Sequence, residues 1–130
     1  MRALAPLALM GVIFFLSAQS DLDSGLGTWD TVLRKLAHFG VYGALTLLWV
    51  WALRPATARA LPAAAAIALL YAAGDEYHQS FVAGRSGSPV DVAIDALGVA
   101  AALLLLHYRP QALTRFLTPL LRRTREGAEM

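Results

Sequence analysis

Lys35, His38 and Tyr42 are spaced i, i+3 and i+7, and Tyr71, Asp75 and His78 are spaced i, i+4 and i+7. Asp91, Asp95 and Gly98 repeat that second spacing. On a helix each set shares one face. Glu76, Gln79, Arg34 and Arg85 lie close by in sequence. Lys35, Arg85 and Arg34 suit an anionic group such as phosphate, arginine binding it bidentately and lysine as a point charge. Gln79 completes this binding set. His38 or His78 would be the acid or base, because only histidine titrates near neutral pH unperturbed. Asp75 and Glu76 are adjacent and could act likewise. The candidate catalytic set is therefore His38, Asp75, Glu76, His78, Asp91 and Asp95. A divalent metal is a further option. Asp75, His78, Asp91 and Asp95 offer three carboxylates and an imidazole, a donor set for Zn, Mn or Mg. No H-E-x-x-H motif accompanies them, and no pattern around Ser80, Ser86 or Ser88 marks a nucleophile.

These groups stand out against an apolar chain. The segment "GDEYHQSFVAGRSGSPVDVAIDALG" lies between "ALPAAAAIALLYAA" and "VAALLLL", which carry no charge. The chain is 58% hydrophobic and 15% charged over 130 residues, with a mean hydropathy of +0.55. So few charges would cover a soluble domain of this size poorly. An integral membrane protein of one domain, spanning residues 1–130, is expected. Cysteine is absent, which excludes thiolate metal sites, thiol nucleophiles and disulfides. The basic residues form no nucleic-acid face.

A spanning helix needs about 20 mostly apolar residues. Four candidates run over about 4–19, 31–53, 62–81 and 89–108, giving an all-α, four-span transmembrane bundle. Pro62 suits a first helical position, and Gly84 a helix end. Ser88 is a good N-cap, followed by Pro89 and then Asp91 in the first turn. The first span has a rival reading as a cleaved signal peptide, with Arg2, a short apolar run and "AQS" before Asp21. Charge bias sets the orientation. With the N-terminus inside, Arg2, Arg54, Arg59, Arg109, Arg115, Arg122, Arg123 and Arg125 are inner, and Arg34, Lys35 and Arg85 are outer. Both termini are then cytoplasmic. In the basic tail 109–130, Leu113, Phe116, Leu117, Leu120 and Leu121 fall on one helical face, interrupted at Pro119. That pattern fits a short amphipathic segment on the inner membrane surface, or else a basic tail that only sets topology.

With this topology the polar groups of spans two, three and four meet at one depth, near the outer interface. A charge facing lipid costs roughly 2.5–3.5 kcal/mol near the bilayer centre, so the polar faces should point at one another. Gly40, Gly43, Gly74 and Gly98 would let the helices approach. Trp49 and Trp51 are expected in an inner aromatic belt and Trp29 in an outer one. Asp30 is a candidate cap for span two.

The pieces "FFLSAQS", "KLAHFGVYGAL", "DEYHQSFVAGR" and "SPVDVAIDALG" resemble the VanZ-like family of small bacterial membrane proteins. In this order they cover most of the chain from Phe14 to Gly98. The resemblance implies a four-span protein of the bacterial cytoplasmic membrane. It marks Lys35, His38, Asp75, Glu76, Gln79, Arg85, Asp91 and Gly98 as characteristic positions. The second polar position of span four, often Asn in such proteins, is Asp95 here, which adds a carboxylate. The family's founding member is linked to resistance to the glycopeptide teicoplanin, so the resemblance implies a cell-envelope role.

Three readings of the polar cluster remain open. Lys35 and Arg85 could pair with Asp75, Asp91 or Glu76 and fix helix packing. The cluster could be a hydrolase or transferase site for an anionic lipid-linked or envelope substrate. It could also bind a lipid head group, an antibiotic or a partner protein without turnover. A channel is disfavoured, because the inner halves of spans two to four read "LLWVWAL", "AAAAIALL" and "AALLLL".

Overall fold

The structure is a computed structural model, and it describes residues 1–19, 25–111 and 114–115. Among these residues there are four α-helices and no strand. Helix α1 spans Leu4–Ser17, α2 Thr28–Leu53, α3 Ala60–Gln79 and α4 Pro89–Tyr108. The amphipathic face expected at Leu113, Phe116, Leu117, Leu120 and Leu121, with Pro119, lies outside the described residues.

Local chemistry sets the helix ends. Gly27 adopts φ 62° immediately before α2, which lets that helix begin at Thr28 rather than at Thr31 as expected. Asp30 falls inside the first turn, and its carboxylate accepts the Leu26 N–H at 3.2 Å. Helix α3 starts at Ala60, so Pro62 is its third residue, still where a missing N–H costs no helical bond. The helix stops at Gln79, and Gly84 at φ 78° shapes the following loop instead of ending it. Helix α4 matches its expected start: the Ser88 side chain accepts the Val90 N–H at 3.2 Å, and Pro89 opens the first turn.

Helices α2 and α4 run parallel and make the broadest contact, α3 runs antiparallel to both, and α1 packs on α2 and α3. Small residues carry the core. Ala64, Ala68 and Ala72 of α3 meet Leu45 and Val50 of α2 and Val99 and Leu106 of α4, all buried. Two glycines set the α2–α4 distance. A Cβ on Gly98 would collide with the Phe39 carbonyl, and one on Gly43 would sit 3.2 Å from the Gly98 oxygen. Gly40 and Gly74 differ from expectation, for no atom lies within 4 Å of a Cβ built there.

The outer flank inverts the soluble pattern. Leu70, Phe15, Leu97 and Leu104 are 75%, 64%, 61% and 55% exposed. An apolar surface this extensive is consistent with a membrane-facing protein. Helices α2 and α4 are long and apolar enough to cross a membrane. Helix α1, at 14 residues, is about 21 Å long and shorter than the hydrocarbon core. Helix α3 has 20 residues, but Asp75 and Glu76 occupy its final turns.

Candidate functional site

The i, i+3, i+7 face of α2 turns inward and meets carboxylates at each level. Lys35 Nζ donates to Asp91 Oδ1 of α4 at 2.9 Å, with both side chains partly exposed. One turn deeper, His38 Nδ1 lies 2.9 Å from Asp95 Oδ1 and 3.8 Å from Glu76 Oε1. Deeper again, the Tyr42 hydroxyl donates to Asp75 Oδ2 at 3.4 Å. Asp75, Glu76, Gln79 and Asp95 are 5%, 4%, 4% and 0% exposed. The Gln79 amide ties these acids together, donating to Asp75 Oδ2 at 3.1 Å and to Glu76 Oε1 at 3.5 Å.

The loop between α3 and α4 closes the site from above. The Ser88 N–H donates to Glu76 Oε2 at 3.1 Å. Gly87 permits this approach, since a Cβ there would collide with the Glu76 carbonyl. Arg85 reaches to α1, donating from Nε to the Gln19 carbonyl and from Nη2 to the Leu16 carbonyl, each at 2.9 Å. A cation at a helix C-terminus meets carbonyls left without an intrahelical partner. Burial first, and then the neighbouring Arg34 charge, lower the Arg85 pKa from its ordinary value. The group stays cationic. Of the open readings, the one that pairs Arg85 with a carboxylate is not the geometry seen: Arg85 clasps backbone.

Helix α1 is built into the same end. The Tyr71 hydroxyl donates to the Met10 carbonyl at 2.6 Å, and Gln79 Nε2 donates to Ser17 Oγ at 3.4 Å. Sequence reasoning did not single out Ser17 or Gly87 as site residues. Ser17 lies within the quoted "FFLSAQS", but nothing local showed that it would meet a glutamine 62 positions away.

His78 does not join the others. Its ring stacks on Phe14 with centroids 4.7 Å apart, and its buried Nδ1 has no partner. The anticipated metal donors Asp75, His78, Asp91 and Asp95 are thus not the grouping seen. Among the described residues, His38, Glu76 and Asp95 bring one ligand atom each within 4.8 Å of one another. One nitrogen and two carboxylate oxygens suit Zn or Mn. Asp95 Oδ2 is buried without a partner, so the donor set has a free acceptor.

Two hollows adjoin the cluster. A polar cavity of about 210 Å³ is bordered by Arg34, Lys35, His38, Gln79, Arg85 and Asp91. An apolar crevice of about 160 Å³ runs between α1 and α2, and it shares Arg34, His38, Gln79 and Arg85 with the cavity. His38 faces both hollows, while its Nδ1 is held by Asp95, which leaves Nε2 as the nitrogen available for proton transfer.

Fold and site together define a small all-α protein with a membrane-type surface and a buried carboxylate–imidazole cluster at one end. The family model described as VanZ/LLP1 matches residues 3–110, and the chain belongs to this family. No curated protein and no solved structure matches the chain.

Proposed function

We propose that this VanZ-like protein crosses the bacterial cytoplasmic membrane four times, with both termini cytoplasmic, and acts on an anionic lipid-linked or envelope substrate at the outer leaflet. Helix α1 is apolar but only 14 residues long, and α3 carries Asp75 and Glu76 near its end, so neither spans as plainly as α2 and α4. Both pack into the bundle through α2, so they cross with it. The hydrogen bonds from Tyr71, Gln79 and Arg85 hold α1 in place and favour its retention over cleavage as a signal peptide. The Lys and Arg bias sets the cluster end outside.

The observation that carries the catalytic reading is the His38–Asp95 contact at 2.9 Å beside a polar cavity lined by cations. A fully buried carboxylate fixes the imidazole's tautomer and orientation, as in other acid–base dyads. Nε2 can then take a proton from water or from a hydroxyl acceptor. Arg34 and Arg85 hold the anionic group at which charge develops. The reaction class is hydrolysis or group transfer at a head group. Membership of the VanZ/LLP1 family supports a cell-envelope role of the kind linked to glycopeptide resistance.

The pairing of Lys35 with Asp91 and of His38 with Asp95 also supports a structural reading, because both pairs lock α2 to α4. One experiment separates the two. Purified protein in liposomes is supplied with polyprenyl pyrophosphate or glycerophospholipid, and released phosphate or head group is measured. Asp95→Asn keeps the shape and an acceptor oxygen, so the helices stay folded, while turnover falls by roughly 100-fold or more. No turnover by the unaltered protein, or equal turnover by both, rules out the catalytic role.

A further inference from the structure

We infer that the ligand is a lipid with a phosphate head, which enters sideways between α1 and α2 with its chain in the apolar crevice and its head in the polar cavity. This rests on the head-group reading above and names the substrate class for that site.

Charge complementarity comes first. Of the three cations on the cavity wall, Lys35 is matched by Asp91. Among the described residues, Arg34 and Arg85 have no carboxylate partner, and their charges repel each other. Arg85 uses two of its five donors on backbone carbonyls, Leu16 in α1 and Gln19 just after it. Two like charges with spare donors around a partly desolvated cavity fit a dianionic phosphate, where charge-assisted bonds are strongest.

Continuity comes second. The crevice begins at the same four residues that edge the cavity. Its apolar walls are Val12, Ile13 and Leu16 of α1 and Ala37 and Val41 of α2, with Ser17, Tyr42 and Asp75 also bordering it. Val12 and Leu16 are 52% and 46% exposed, and Ala37 is also exposed, so the crevice opens on the lipid-facing flank. A head group tethered to a chain cannot enter a membrane protein's cavity without leaving its chain somewhere. The crevice provides that place.

The energetics separate the two parts. Moving an alkyl chain from the bilayer into an apolar crevice gains little, because lipid is already apolar. Affinity therefore comes from the phosphate, and the crevice serves as the route. A soluble phosphate needs no route.

The test compares dioleoyl phosphatidic acid with glycerol 3-phosphate, each titrated onto the full-length protein in detergent micelles. Ala37→Trp fills the crevice from α2, and Val12→Trp fills it from α1. Both positions are exposed, so neither change disturbs the core. Each variant should bind phosphatidic acid about tenfold more weakly, a difference of roughly 1.4 kcal/mol, and glycerol 3-phosphate within about twofold of the unaltered protein. Arg34→Ala should weaken both ligands. Unchanged phosphatidic acid binding in both Trp variants overturns the inference, as does an equal loss of both ligands in both variants. It is likewise overturned if the unaltered protein fails to bind phosphatidic acid. Binding without turnover would support this inference and count against the catalytic reading alone.

Discussion

Gly98→Ala is the most direct probe of how the fold makes the site. The added methyl would strike the Phe39 carbonyl, a backbone atom that cannot rotate away. Restoring an ordinary separation of roughly 3.5 Å requires α2 and α4 to part by on the order of 1 Å. Phe39 directly follows His38, and Gly98 lies three residues after Asp95, so the movement falls on the dyad. The His38–Asp95 contact of 2.9 Å would stretch to about 3.9 Å, beyond hydrogen-bonding range. Overpacking costs about 1–3 kcal/mol, and a buried polar group left unpaired costs about 1–3 kcal/mol more. The expected loss is roughly 2–6 kcal/mol, read as unfolding of the detergent-solubilised protein in a denaturant titration followed by circular dichroism. Gly40→Ala is the control, because nothing lies within 4 Å of its added methyl. It should be neutral or stabilising by up to about 1 kcal/mol through helix propensity. If Gly98→Ala unfolds at the same point as the unaltered protein, or Gly40→Ala loses as much, the glycine contact does not set the helix spacing.

Ser88→Ala removes the side-chain cap of α4 and should lower stability by about 1 kcal/mol in the same titration; no change would mean that the Ser88 side chain contributes nothing to α4. The cysteine-free chain allows a clean topology test. Ser86→Cys should react with a membrane-impermeant maleimide in intact cells, and Thr57→Cys only after lysis; the reverse pattern would invert the proposed orientation.

Much of the fold was legible because helical periodicity and apolarity are local. The face shared by Lys35, His38 and Tyr42 follows from spacing alone, and its inward direction follows from the cost of charge in lipid. The start of α4 was legible for the same reason, since a cap is a contact between near neighbours. The limits of α2 and α3 were less so, because Gly27, Pro62 and Gly84 each tolerate several positions around a helix end.

Partner choice was not local. His78 shares a helix face with Asp75, yet Phe14 takes it out of the cluster. Arg85 had three carboxylates in prospect and bonded the backbone carbonyls of Leu16 and Gln19 instead. Gly40 and Gly43 look alike in sequence, but only Gly43 lies against another backbone.

By itself, the sequence determined the helical class, the family resemblance and the concentration of ionisable groups at one end, because each follows from residue type and spacing along the chain. Only the tertiary structure decided which acid each α2 side chain meets, and that His38, Glu76 and Asp95 form the inner group. Those pairings depend on the rotation and separation of packed helices, which backbone contacts such as Gly98 against Phe39 set across 59 residues of chain.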